Sequence, residues 1–469
     1  MRALMQKCLA FINVHRIFLI YFALLAGVLL AWWAAFYPGV MTADSLDQWR
    51  QALSGDYNDA HPFVSTLFMD TFRWIKDTPA WVSLSQVIAT SSLVAGFVSY
   101  AQRRGVSWKL CAAIIAIFMI WPVYGIYSVT IWKDILYSIL VVTACLVTYL
   151  IIVDKRVARR QMPFIILAVL CAAIPLWRHN GLPYLLLPFI ALLVVRMSQK
   201  KQILLSGGLA LALFILIHFG VGSLLHVKQA PILVEWLRMK TVAAVYHEKH
   251  PTITADDRQL FASLMPEKDW QTAYRCFHTD TTFMQFYTYH PISFTDQVST
   301  NPATEAAWKQ AVNRTAFHNP TAVIKDHACV GKMLFSSQPG FIKYANDIFV
   351  RPDLPTVHEQ PIAHTAGLKI KLKSWLQWSA TAGVANAIFW SAIPALITVL
   401  LTLFVAIRNR AAATVILACL TLVNPLCVIL IGSSSDYRYI YSLIITAPLL
   451  PLAYMAEQAK QRTKRLNVR

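Results

Sequence analysis

The chain has 469 residues, 57% of them hydrophobic and only 14% charged, with a mean hydropathy of +0.51 and a formal net charge of +19. A soluble domain carries about 25% charged residues, so this composition excludes an ordinary water-soluble enzyme and points to long apolar runs with charge between them. Because the positive charge is split among those short segments and not spread over one face, a nucleic-acid partner is excluded as well.

Windows of about 20 apolar residues predict ten transmembrane helices, at roughly 17–37, 80–100, 110–125, 135–153, 162–177, 182–195, 203–226, 384–406, 411–431 and 439–455. The fifth and sixth are short for a full crossing. The first is too long for a signal-peptide core and lacks a small-residue cleavage site, so it reads as a retained anchor. Lys and Arg alternate along this series. Arg2, Lys7 and Arg16, then Arg103, Arg104 and Lys109, then Lys155, Arg156, Arg159 and Arg160 share one side with Arg196, Lys200, Lys201, Arg408, Arg410 and the basic tail. Only Asp154 and Glu457 oppose them there. The positive-inside rule then puts both termini in the cytoplasm. The expected fold class is an all-α polytopic membrane protein of the cell's inner (plasma) membrane, with seven spans, an outer soluble domain, and three more spans. The expected divisions are a seven-span core over 1–226 with its first outer loop at 38–79, an extracytoplasmic domain over 227–383, and a three-span region with a basic tail over 384–469.

Of eight cysteines, only Cys276 and Cys329 fall in the expected outer domain. Two thiols in an oxidising compartment predict a disulfide between them. The stretch "GLKIKLKSWLQW", residues 367–378, alternates Lys with apolar residues and suits a helix lying in the membrane interface, or a solvated linker.

Four polar clusters land on the outer side: "MTADSLDQW" with "DYNDAHP" in the first loop, then "SVTIWKD", "LWRHNGLP" and "GSSSDYRYIY". Each sits at an apolar boundary, where a charge is costly unless it is paired or faces water. Acids and bases gathered at one rim suggest a site for an anionic head group. Lys133, Arg178 and Arg438 would supply charge-assisted bonds to the anion, and Asp44 is the candidate carboxylate base for a hydroxyl. Asp47, Asp59 and His61 are candidate supports, and Asp134, His179, Asn180, Asp436 and Tyr437 complete the candidate set. Plainer roles compete with these. Asp44 with Asp47 also reads as a helix cap opening a helix over 45–53. Asp70 and Arg73 are spaced for an ion pair. Trp132 and Trp177 suit an interfacial belt, and Lys133 or Arg178 alone could be a snorkelling anchor. His247, Glu248 and His250 match no strong zinc spacing.

The first span ending in "YPGVMTADS", followed by "GDYNDAHP" and by the later "WKD", "RHNG" and "DYRY" segments, resembles the membrane glycosyltransferases of the GT-C superfamily, and more narrowly a bacterial branch with a "PG-x-x-x-x-DS" start and a "D-x-HP" loop. The resemblance covers about residues 10–230 and 384–455. It implies a seven-span core, a polyprenyl-phosphate-linked sugar as donor, and transfer to a glycolipid, polysaccharide or protein acceptor outside the cytoplasm. It implies Asp44 as general base and basic residues of the other outer loops as donor-phosphate ligands. Many relatives have two adjacent acids where this chain has Asp44 and Ser45, which leaves a divalent metal as an open cofactor.

Two other classes share part of this pattern. An O-antigen polymerase or ligase would have about as many spans but would lean on Arg and His in later outer loops. A transporter would place ionisable groups mid-span and carry internal repeats. Glu and Lys are absent from the expected span interiors, and no repeat is visible.

Overall fold

The computed structural model describes residues 2–229, 232–277, 280–289, 302–336, 362–432 and 435–466. Among them the regular structure is helical, with isolated β-bridges that include Val40 to Thr130 and Asn58 to Lys228. In chain order the helices are α1 (Arg2–Ala35), α2 (Ala43–Ser54), α3 (Phe63–Arg73), α4 (Ala80–Arg103), α5 (Trp108–Ile120), α6 (Pro122–Val129), α7 (Lys133–Val153), α8 (Met162–Trp177), α9 (Leu187–Val195) and α10 (Lys200–Ile215). They continue as α11 (Ile232–Tyr246), α12 (Ala255–Leu264), α13 (Glu267–Ala273), α14 (Asp280–Tyr289), α15 (Pro302–His318), α16 (Pro320–Gly331), α17 (Ala366–Thr381), α18 (Gly383–Phe389), α19 (Ile393–Arg408), α20 (Ala412–Ile431), α21 (Tyr441–Thr446) and α22 (Leu450–Leu466).

Among the described residues, six helical stretches are long and apolar enough to cross a membrane: His15–Ala35, Ala80–Arg103, Lys133–Val153, Met197–Leu224, Ala412–Ile431 and Tyr437–Gln461. A seventh candidate is the pair α5 and α6, which bends by 58°. The cause is local. Pro122 has no N–H to continue the ladder and forces Trp121 out of the helical region, to φ −67 and ψ 118. The expected spans at 162–177 and 182–195 form shorter helices that meet at Arg178. The expected span at 384–406 is divided, because the chain breaks over Trp390–Ala392 between α18 and α19.

α7 is the axis of the bundle. Ile135, Tyr137, Val142, Cys145, Tyr149 and Ile151 are buried, while Leu136, Leu140, Val147 and Leu150 form a half-buried stripe along the remaining face. Its 21 residues span about 31 Å and separate two chemically different ends. At the C-terminal end, cations meet the helix's orphan carbonyls. Arg196 donates to Ile152 O, Lys460 donates to Val153 O, and Arg104 pairs with Asp154. By contrast the stretch 197–224 exposes Leu204, Leu205, Leu211, Leu216 and Phe219, a face suited to acyl chains and not to water.

At the other end of α7 the segment after α1 is stitched to the segment before α7. Val40 N–H donates to Val129 O (2.9 Å), and Ile131 N–H donates to Val40 O (2.8 Å). Gly39 makes the approach feasible. Its φ is +128, and a Cβ there would lie 3.0 Å from the Ile131 side chain. Beneath this joint Met41, Leu46, Trp49, Met69, Val82 and Ile131 form a small separate core that seats α2.

Helices α11 to α15 enclose a further core around Phe261, Trp270 and Trp308, with Trp308 donating to Glu235 (2.6 Å) and Arg314 gripping Asp257. Cys276 and Cys329 are joined in a disulfide, 53 residues apart in sequence with Cα atoms at 5.9 Å.

Candidate functional site

The site is assembled around Arg438. The chain leaves α20 at Gly432, which adopts the left-handed conformation. It then enters a short 3-10 turn over Tyr437–Ile440, whose cap is Asp436. Asp436 accepts the Arg438 N–H (3.0 Å) and pairs with its guanidinium (3.2 Å), which fixes the side chain's root and its head together. The guanidinium then reaches two distant elements. It donates to Asp44 Oδ2 at 3.0 Å and lies 3.8 Å from Asp134 Oδ2. Asp134 is 2% exposed, so its charge needs these partners. Arg178, from the turn after α8, pairs with the same carboxylate. Both arginines rest on Tyr439, at 4.1 Å for Arg178 and 5.0 Å for Arg438, and Arg438 also lies 4.6 Å from the Trp132 ring.

Helix polarity explains part of this placement. Asp44 and Asp134 occupy the first turns of α2 and α7, where an acid is favoured by the helix dipole. Lys133 is also in the first turn of α7, where a cation is disfavoured, and its local partner is His61. The Lys133 ammonium approaches His61 Nδ1 at 2.5 Å. With Lys133 as an ammonium, which can only donate, His61 accepts on Nδ1 and is assigned as the neutral tautomer with its proton on Nε2. Burial, then the neighbouring Lys133 charge, push the His61 pKa down to about 4. At Asp44 partial burial works toward a higher value, but Arg438, Lys133 and His61 outweigh it and hold the carboxyl well below the usual carboxylate range. Asp44, Asp134 and Asp436 thus face Lys133, Arg178 and Arg438 in a cluster that balances its own charge.

The remaining candidates divide. Asp47 is tied to its own helix by Arg50 (2.6 Å) and Gln51 (2.8 Å). Asp59 lies 3.6 Å from His179 Nε2, and its buried Oδ1 has no hydrogen-bond partner among the described residues. Asn180 turns inward to Asn424 (3.2 Å), and Tyr437 is buried against Trp390 with its hydroxyl donating to Ser391 O (3.3 Å). These two belong to the packing behind the site.

Three plainer expectations are resolved by the geometry. Asp44 is not a helix cap. Thr42 is the N-cap of α2, with its N–H bonded to Ser45 Oγ (2.8 Å), so the Asp44 carboxylate is free to reach Arg438. Trp132 and Trp177 are not belt residues. Trp132 is 3% exposed and donates to Thr42 Oγ1 (2.7 Å), and Trp177 packs edge-on to Phe68. Asp70 and Arg73 form the expected ion pair (2.9 Å).

Sequence reasoning passed over Trp132 and Tyr439 as the aromatic seats of the arginines, and Asn424. The last accepts from Tyr137 (2.9 Å) and donates to Tyr439 O (2.6 Å) and Ser442 (3.1 Å). An Asn inside an apolar run was the available signal. Among the described residues no group of three or more His, Cys, Asp or Glu side chains is arranged to hold a metal ion. The acids within reach converge on a guanidinium instead.

The fold and its apolar helices have the character of a helical membrane protein with a charge-balanced cluster at one end of its bundle. No family model, no curated protein and no solved structure matches the chain.

Proposed function

We propose that the protein is a polytopic inner-membrane glycosyltransferase of GT-C type. It transfers a sugar from a polyprenyl-phosphate-linked donor to an extracytoplasmic glycolipid, polysaccharide or protein. The shorter helices at 162–177, 182–195 and 393–408 complete the crossings in this reading. The basic end of α7 faces the cytoplasm with both termini, and the Arg438 cluster faces outward. The observation that carries the reading is the meeting of a first-loop acid, Asp44, with Arg438 and Arg178 from two other turns at the same bundle end.

In the reaction the donor phosphate takes hydrogen bonds from Arg438, Arg178 and Lys133, and in doing so replaces Asp44 on the Arg438 guanidinium. The released Asp44 carboxylate accepts the proton of the acceptor hydroxyl as its oxygen attacks the anomeric carbon. The bond from that carbon to the phosphate oxygen breaks, its electron pair stays on the phosphate, and the arginines stabilise the growing charge. One displacement inverts the anomeric centre. Asp59 and His179 lie beside this cluster on the loop side and would meet the acceptor.

The test is a deletion strain complemented with wild type or Asp44→Asn, followed by mass spectrometry of envelope glycolipids and glycoproteins. Wild type should restore one sugar-sized mass increment, and the Asn variant, present at equal level, should not. Full restoration by Asp44→Asn would sink the catalytic assignment. Loss of long polymer without loss of a single increment would favour a polymerase or ligase, and no glycan change would favour transport.

A further inference from the structure

Arg438 hangs from a single short segment, and the helical region α11–α16 holds that segment. Ser435, 4% exposed, donates its N–H to Phe277 O (3.0 Å) and its hydroxyl to Val330 O (2.8 Å). Phe277 follows Cys276 and Val330 follows Cys329, and those two cysteines form the disulfide. Each carbonyl that Ser435 bridges is therefore one residue beyond a half-cystine.

Other contacts press the same parts together. Lys240, 1% exposed, donates to Gly432 O (2.6 Å) and pairs with Asp326 (3.0 Å), which also accepts from Tyr274 (2.8 Å). His327 Nδ1 bonds Ile429 O (2.8 Å), and its ring packs so closely on Gly432 that a Cβ there would lie 2.8 Å away. α16 is thus locked to the end of α20, and among the described residues the two Ser435 bonds carry that hold past Gly432 toward Asp436 and Arg438.

We propose that the Cys276–Cys329 disulfide is a staple that positions the Arg438 turn through Ser435. The disulfide sets the spacing of the Phe277 and Val330 carbonyls. Ser435 spans that spacing, and Asp436 passes the constraint to Arg438 through its cap bond to the Arg438 N–H. When a dithiol supplies two electrons and two protons, the cystine becomes two thiols and the dithiol becomes a disulfide. Cys276 then loses its covalent tie to α16, and the Phe277 carbonyl next to it is no longer held at that spacing. The core around Trp270 and Trp308 and the Lys240–Asp326 pair remain, so the region stays folded while the turn gains freedom. Ser435 is a positioning residue in this account. Its bearing on catalysis rests on the function proposed above, but its effect on the turn does not.

The experiment compares hydrogen exchange across residues 435–441 in the full-length protein in nanodiscs, for wild type, Cys276→Ser with Cys329→Ser, Ser435→Ala, and the triple variant. The cysteine pair and Ser435→Ala should each speed exchange in this segment by about tenfold, with α4 and α7 unchanged. The triple variant should add little, because both changes cut one path. Binding of a short-chain isoprenyl phosphate should weaken about fivefold in each, the scale of one lost hydrogen bond. Unchanged exchange at 435–441 in the cysteine pair, or fully additive effects in the triple variant, would overturn the staple. Faster exchange with no phosphate binding in wild type would retain the staple and remove the phosphate reading of the site.

Discussion

Asp44→Asn should tighten the binding of a phosphate monoester while abolishing transfer. In the free protein the carboxylate occupies Arg438 at 3.0 Å and keeps 33% of its side-chain surface open. A hydrogen bond to a charged group is worth about 1.5–3 kcal/mol net, and partial exposure moves this pair to the low end. An incoming phosphate must displace that bond and also approach a negative charge. The amide removes the charge and weakens the competing bond, which leaves about 1.4 kcal/mol, or about tenfold in Kd, in favour of the phosphate. Titration of a short-chain isoprenyl phosphate into detergent-solubilised wild type and variant reads this directly. A helix cap would leave the affinity untouched, since Thr42 holds that role. A direct phosphate ligand would make the variant weaker. Either result, an unchanged or a raised Kd, refutes the competition between carboxylate and phosphate.

Two further outcomes follow from the same cluster. Arg438→Lys should lower unfolding stability by about 3 kcal/mol, because one ammonium cannot reach Asp44, Asp134 and Asp436 or lie on Trp132 and Tyr439 as the planar fork does. Adding Asp134→Asn should recover part of that loss in chemical unfolding in mixed micelles, and no recovery would mean that Asp134 is not the uncompensated charge. Acid should loosen the first loop through His61. The unfolded chain takes up this proton near pH 6.5 and the folded site only near 4, so between them the unfolded state holds more protons. Stability is then lost as pH falls through that window. A melting temperature followed from pH 7 to 4 should drop more steeply in wild type than in His61→Gln, and parallel curves would contradict the His61–Lys133 pairing.

The long helices were readable because lipid-scale apolar runs have few other uses. The expected spans at 80–100, 135–153 and 411–431 coincide closely with α4, α7 and α20. What the pattern missed depends on single residues or on tertiary contacts. Pro122 bends a run that is apolar throughout, and the break at Trp390–Ala392 divides another, yet window hydropathy barely registers either. The polar residues at the apolar boundaries brought Asp44, Lys133, Asp134, Arg178 and Arg438 onto one list, and the structure gathers these five together. Their pairing was not legible, because it depends on which face of each turn meets the others. Tryptophans at an apolar boundary look alike in sequence whether they face lipid or, like Trp132, support an arginine.

The charge balance of the cluster bears on how such a site can exist before its substrate arrives. Lys133, Arg178 and Arg438 brought together alone would repel one another and lose hydration, a cost of several kcal/mol per buried ion. Asp134, nearly inaccessible, and Asp436, as open as Asp44 but bonded to the Arg438 N–H, offset that cost. Asp44 differs from them. It belongs to α2, a helix seated on its own small core, whereas Asp436 is also bonded to the Arg438 N–H of its own turn. A phosphate can therefore replace Asp44 without leaving Arg178 or the base of Arg438 unpaired, whereas replacing Asp134 would undo the packing of α7. The acid that can be displaced is also the one that would be left beside the anion with a free lone pair. In the proposed reaction, coupling of phosphate arrival to release of the base then follows from the difference in burial between Asp44 and Asp134 and from the cap bond that keeps Asp436 on Arg438.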